Sequence, residues 1–182
     1  MSDLEEQKPG VSRRTVAKAM AWSVPAVALA VPTPAYAASP GVIELSGLGC
    51  KLPGASNDAY KGYAFRGTLS NTTNAQVSVS ITDMDLGTSD LGDVLIIDLS
   101  TCTVLGTNTF ILPANTTLSN VAFVTTDAAT SENGALVVQY TVEGSPDTAT
   151  ATASGLPPIQ GNTCEANVFT EDERDCINSK VA

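Results

Sequence analysis

The chain has 182 residues, four cysteines, one tryptophan and no histidine, and it sets nine Lys+Arg against nineteen Asp+Glu for a formal net charge of −10. Without histidine there is no Ser-His-Asp triad, no Cys-His dyad, no HExxH zinc site and no histidine-containing zinc finger. An isoelectric point near 4.2 argues against nucleic acid and against an anionic membrane surface, since both call for clustered Lys and Arg.

The first element is a leader. Ser12-Arg13-Arg14-Thr15-Val16-Ala17-Lys18 resembles the twin-arginine export motif S-R-R-x-F-L-K. Ser12, Arg13, Arg14 and Lys18 match, while Val16 and Ala17 replace the usual Phe and Leu. The apolar run Ala19 to Val31 is shorter than the ~20 residues of a membrane span. Ala35-Tyr36-Ala37 then offers an A-x-A cleavage pattern, with Ala38 as the new N-terminus. Residues 1–37 therefore read as a signal peptide for the twin-arginine export machinery and signal peptidase, in preference to an amphipathic surface helix. The acidic stretch before the arginine pair and the weakly hydrophobic run favour this route over a Sec signal. No lipobox cysteine stands at the cleavage position, and Leu52-Pro53-Gly54-Ala55-Ser56 is not a C-terminal sortase signal. The expected product is released and soluble, with no membrane anchor.

Cleavage after Ala37 leaves 145 residues with five basic and sixteen acidic side chains, a net charge of −11, and no tryptophan, because Trp22 goes with the leader. That length suits one hydrophobic core. Strands are predicted in chain order at Val42–Leu48, Tyr63–Ser70, Gln76–Thr82, Val94–Leu99, Val104–Leu112, Leu118–Thr125, Leu136–Glu143 and Thr148–Thr152. Tyr63, Phe65 and Leu69, or Val77, Val79 and Ile81, alternate with polar residues, which is the period-two signature of a strand with one buried face. Turn clusters separate them: Asn71-Thr72-Thr73-Asn74, Gly87-Thr88-Ser89-Asp90, Pro113-Ala114-Asn115 and Gly144-Ser145-Pro146-Asp147. No sustained 3.6-residue period with caps follows Ala38. The predicted fold class is all-β, a single antiparallel sandwich of seven or eight strands. A barrel or jelly roll would read almost the same way.

Three blocks carry a likeness: Tyr63-x-Phe65-x-Gly67-x-Leu69-Ser70-Asn71-Thr72-Thr73, Phe110-Ile111-Leu112-Pro113-Ala114-Asn115-Thr116-Thr117, and Gly134 to Val142. With the strands between them they resemble the bacterial immunoglobulin-like modules of exported proteins, and the layout is similar to uncharacterised exported proteins of actinobacteria. Unlike antibody domains, the chain has no core tryptophan to pack on an inter-sheet disulfide. The resemblance implies an immunoglobulin-like sandwich over 38–160, after the leader at 1–37 and before an acidic, cysteine-containing tail at 161–182.

Cys50, Cys102, Cys164 and Cys176 form an even set in an exported chain, which favours two disulfides. The preferred pairing is Cys164–Cys176 with Cys50–Cys102, because the first two lie close in sequence and would staple an otherwise loose tail. Cys50–Cys164 stays open as the alternative. A four-cysteine zinc site is disfavoured, because no C-x-x-C type pair exists.

Asp83, Asp85, Asp90 and Asp93 form the densest acidic loop and are the calcium candidates. As an EF-hand loop the segment fails, with Thr88 where Gly belongs and Val94 where Glu belongs. A solvated acidic turn is the better reading. Glu171-Asp172-Glu173-Arg174-Asp175 likewise reads as a solvated run, or as a contact for a basic partner. A Ser–Lys dyad would draw on Lys51 or Lys61, but no GxSxG or SxxK motif accompanies either. Of seven aromatics in the mature chain, only Tyr60 and Phe169 fall outside predicted strands, too few for a sugar platform. The expectation is an exported non-catalytic interaction or structural module. It uses no cofactor and no nucleic acid; the sequence does not identify its partner, for which a cell-wall component or surface protein is the candidate. A small carboxylate-dependent hydrolase and a calcium- or glycan-binding module are the alternatives.

Overall fold

Strand β5 (Val94–Asp98) is buried at every position. So are Tyr63–Phe65 at the start of β2 (Tyr63–Asn71) and Val121–Thr125 at the end of β8 (Thr116–Thr125). An antiparallel strand in a two-layer sandwich buries one face, so unbroken burial here means that something covers the sheet on its outer side as well. The computed structural model describes residues 41–52, 62–127, 134–156, 159, 164 and 168–181. Ser12, Arg13, Arg14 and Lys18 of the export motif, Ala35, Ala37 and Ala38 of the cleavage site, and Tyr60 and Lys61 lie outside the described residues.

The other elements are β1 (Ile43–Lys51), β3 (Val77–Leu86), β4 (Ser89–Asp90), β6 (Thr103–Thr107), β7 (Thr109–Leu112), β9 (Gly134–Val142), β10 (Thr148–Leu156) and a helix, α1 (Glu171–Val181). The first sheet runs β1-β2-β8-β5-β6; the second runs β10-β9-β3, with β4 and β7 each paired to a different end of β3. All pairs are antiparallel. The all-β sandwich expected from period-two alternation is what the chain forms. With β1, β2, β3, β5, β8, β9 and β10 taken as strands A to G, the orders A-B-E-D and C-F-G are those of the constant-type immunoglobulin sandwich.

Strand count is where the expectation of seven or eight strands falls short of the ten formed by the described residues. The predicted strand Val104–Leu112 is two strands in two different sheets. Asn108, in the left-handed region at φ 55°, turns the chain from one sheet to the other. Its N–H donates to Val94 O at 2.8 Å, its carbonyl accepts Ile81 N–H at 2.7 Å, and its Oδ1 accepts Val94 N–H at 2.7 Å. Just before it, a Cβ on Gly106 would lie 2.0 Å from Thr109 O, so only glycine lets the two strands approach.

The inner core joins the sheets through Tyr63, Phe65, Phe110, Phe123, Leu136 and Tyr140, all at most 2% exposed. At one end, buried Asn71 ties together two of the turns expected from sequence. It donates to Ala75 O and Pro113 O and accepts Thr73 N–H at 3.0 Å.

A second, outer cluster explains the unbroken burial of β5. Ala64, Leu95, Ile97, Ala122 and Val124 point away from the inner core and pack beneath Phe169, Ile177 and Val181 of the C-terminal segment. The segment expected to be a loose tail is thus a third layer with a helix in it. The start of α1 is a reciprocal capping box: Thr170 N–H donates to Glu173 Oε2 at 2.8 Å, and Glu173 N–H donates to Thr170 Oγ1 at 3.4 Å. Acidic residues in its first turn and Lys180 in its last complement the helix dipole.

The disulfides correct the preferred pairing. Cys50 joins Cys164 and Cys102 joins Cys176. Cys50 sits on edge strand β1, and Cys102 lies in the turn between β5 and β6 at the other side of the same sheet. The C-terminal segment crosses that sheet, so its two cysteines reach opposite edges and cannot meet each other. Nearness in sequence is a poor guide once the intervening residues are held across a surface.

Candidate functional site

At one end of the second sheet, residues from four parts of the chain line a cleft of about 340 Å³. They are Ile81–Asp83 of β3, Asp90 of β4, Gly92 and Asp93 of the following loop, Asn108 of the crossover, and Thr126 and Asp127 just after β8. Gly92 takes φ 70°, and a Cβ there would lie 2.3 Å from Thr126 Oγ1, so glycine is required for the loop to close. Thr126 Oγ1 accepts Asp93 N–H at 2.9 Å, and Asp127 N–H donates to Leu91 O at 3.0 Å.

The four calcium candidates do not form one set. Asp83, Asp85 and Asp90 converge, with carboxylate oxygens all within 4.8 Å of one another. Asp93 turns instead to Asn108, whose Nδ2 donates to its Oδ1 at 2.6 Å. The acidic stretch was expected as a loop, yet Asp83 and Asp85 lie on one face of β3, and Asp85 is directly opposite Asp90 of β4. Like charges directly opposite across strands repel. Asp85 responds with a pKa raised above its ordinary value, through partial desolvation, the charges of Asp83 and Asp90 and a hydrogen bond with Asp83. Asp83 also accepts Gln139 Nε2 at 3.3 Å, and Asp90 accepts Gly92 N–H at 2.8 Å. Gln139 and the Gly92 N–H thus occupy part of the capacity of the Asp83 and Asp90 carboxylates.

Asp127 and Thr126 were not anticipated, since their place beside Asp93 follows from strand pairing alone. Asn108 did carry a signal, because it interrupts an apolar run two residues after a glycine.

The charge run at the C-terminus has its own centre. Glu173 Oε2 accepts Arg66 Nη2 at 2.6 Å, and its Oε1 accepts Asn120 Nδ2 at 2.8 Å. Arg66 also donates to Asn120 Oδ1 and, through Nε and Nη2, to Val168 O. Burial pushes the Glu173 carboxyl up. The hydrogen bonds from Arg66, Asn120 and the Thr170 backbone, with the Arg66 charge, more than reverse this and lower it to about 2. Phe169 is not a free aromatic: it is fully buried, with the Arg66 guanidinium 4.9 Å from its ring centroid. Lys51, the described member of the Ser–Lys candidates, has its ammonium 5.8 Å from the Tyr63 ring centroid.

Charge is divided between the two sides. Among the described residues, the basic side chains are Lys51, Arg66, Arg174 and Lys180, all on the first sheet or the C-terminal segment. The second sheet and its loops carry Asp83, Asp85, Asp90, Glu143 and Asp147 with no described cation. No family model, curated protein or solved structure matches the chain.

Proposed function

We propose that this protein is exported by the twin-arginine route and works outside the cytoplasm as a non-catalytic interaction module. Its contact surface is the outer face of the second sheet. Two disulfides suit an oxidising compartment. Among the described residues, no helix is long and apolar enough to cross a membrane.

The carrying observation is the unequal treatment of the two outer faces. The C-terminal segment, bridged at both ends, covers the first sheet, whereas the second is lined by small polar side chains. Thr109, Ser80, Thr141 and Thr148 stand side by side across β7, β3, β9 and β10. Asp83, Gln139 and Thr150 form the next row, and Asp85, Val137 and Thr152 the one after. Such a face is mostly polar, with Val137 and exposed Ile111 as apolar members, and acidic at one end. It suits a basic surface on a cell-envelope protein, whose approach long-range charge would steer.

The test is capture of envelope proteins by the purified secreted product, compared with Thr141→Arg and Thr150→Arg variants. The reading expects a basic partner that binds more weakly in higher salt and is lost with either variant. Retention of wild-type binding in both variants, or capture of glycan alone, overturns it.

A further inference from the structure

Neither disulfide lies within the sandwich. Each joins a sandwich residue, Cys50 or Cys102, to the C-terminal segment, at Cys164 or Cys176. The inner core is drawn from Val42 to Leu156 and Ile159, and among the described residues none from Cys164 onward joins it. We infer that the C-terminal segment is a redox-operated strap, locked onto the first sheet by the two disulfides and released when they are reduced, while the sandwich stays folded.

What holds the strap without its bridges is modest. Among the described residues, Phe169, Ile177 and Val181 are its buried apolar anchors apart from Cys176, with Val168 partly buried beside them. The polar anchor is the Arg66–Asn120–Glu173 group with Val168 O. An eleven-residue helix does not persist in water by itself and depends on docking. Oxidation changes this by tying the strap at opposite edges of the sheet, so neither end can leave alone.

The bridges are placed to respond. Each pairs a buried cysteine, Cys50 or Cys176, with a half-buried one, Cys164 or Cys102. A cleft of about 240 Å³ lined by Leu52, Cys164, Glu171, Arg174 and Ile177 opens beside the first bridge. In opening, a dithiol reductant attacks the more exposed sulfur as thiolate and forms a mixed disulfide. Its second thiol then closes the reductant into its own disulfide. Two electrons and two protons end on the protein as two cysteine thiols. In closing, each thiol pair gives up two electrons and two protons to a disulfide oxidant, which leaves as thiols. Release uncovers an apolar strip, Ala64, Leu95, Ile97, Ala122 and Val124, now beneath the strap.

The switch rests on geometry alone. Its biological timing, open before export and locked after it, rests on the proposed export, and the test below is independent of that reading. The purified protein with both bridges formed is treated with dithiothreitol without denaturant. Free thiols are counted and hydrogen exchange is followed by mass spectrometry. Expected are four thiols, at least tenfold faster exchange in residues 171–181, unchanged protection in β2, β3, β8 and β9, and new binding of a hydrophobic dye. Strap protection that survives reduction overturns the inference, as does joint loss of strap and sandwich protection. Bridges that resist the dithiol in the folded protein also overturn it. A Cys102→Ser/Cys176→Ser variant, freed at one end, is expected to show faster exchange in α1 before any reductant is added.

Discussion

Arg66 of β2 and Glu173 of α1 are 107 residues apart in the chain, and their charged groups meet at 2.6 Å on the outer face of the first sheet. Both side chains are largely buried, 22% and 13% exposed, so water screens this pair less than an exposed one. The Glu173 carboxyl is lowered from 4.5 to about 2. Stabilisation from a depressed carboxylate is complete above the unfolded-state value and is lost as pH falls toward the folded one. Glu173→Gln is expected to cost about 2–3 kcal/mol at pH 7 and to flatten stability between pH ~4.5 and ~2. Denaturant titrations of both proteins across that range measure it; parallel pH profiles would show that Glu173 is not the titrating group.

Asp85 carries the opposite sign. Its pKa is raised, first by desolvation and then by its acidic neighbours, so its ionisation costs more in the folded state and stability falls as pH rises through its titration. Asp85→Asn is expected to raise the melting temperature at pH 7 and to leave it nearly unchanged in acid. A solvated acidic turn also predicts no heat on titration with millimolar Ca²⁺. Heat that vanishes with Asp83→Asn would make the trio a metal site.

Peptide mapping of the unreduced protein is expected to recover Cys50 linked to Cys164 and Cys102 linked to Cys176. Removing either pair as Cys→Ser doubles should cost about 2–5 kcal/mol, because each bridge closes a long loop in the unfolded chain.

The crossover between sheets is a second weak point. Asn108→Ala places alanine at φ 55° and removes the side-chain bonds to Val94 N–H and Asp93. A loss of about 2–3 kcal/mol is expected, read as a lower denaturation midpoint at unchanged slope. Gly106→Val should be worse, since its Cβ would collide with Thr109 O.

For the leader, replacing Arg13 and Arg14 with Lys is expected to stop export, and the secreted product should begin at Ala38. Fractionation and N-terminal mass spectrometry read both; normal secretion of the double variant would refute the twin-arginine route.

By itself the sequence determined the all-β class and most strand positions. Alternation such as Tyr63, Phe65, Leu69 or Leu136, Val138, Tyr140 is a local consequence of the pleat, legible without knowing any partner. Thr170 and Glu173 also stood at capping-box spacing. The run between them is so acidic, and the buried stripe of Cys176, Ile177 and Val181 so short, that a helix could not be told from a charged tail. Tertiary structure alone decided the rest. Which cysteines pair, that Arg66 meets Glu173, that Asp127 joins Asp83 at one cleft, and that Val104–Leu112 divides between two sheets all depend on where distant segments dock. Docking is set by burial summed over the whole chain, and no local spacing encodes it.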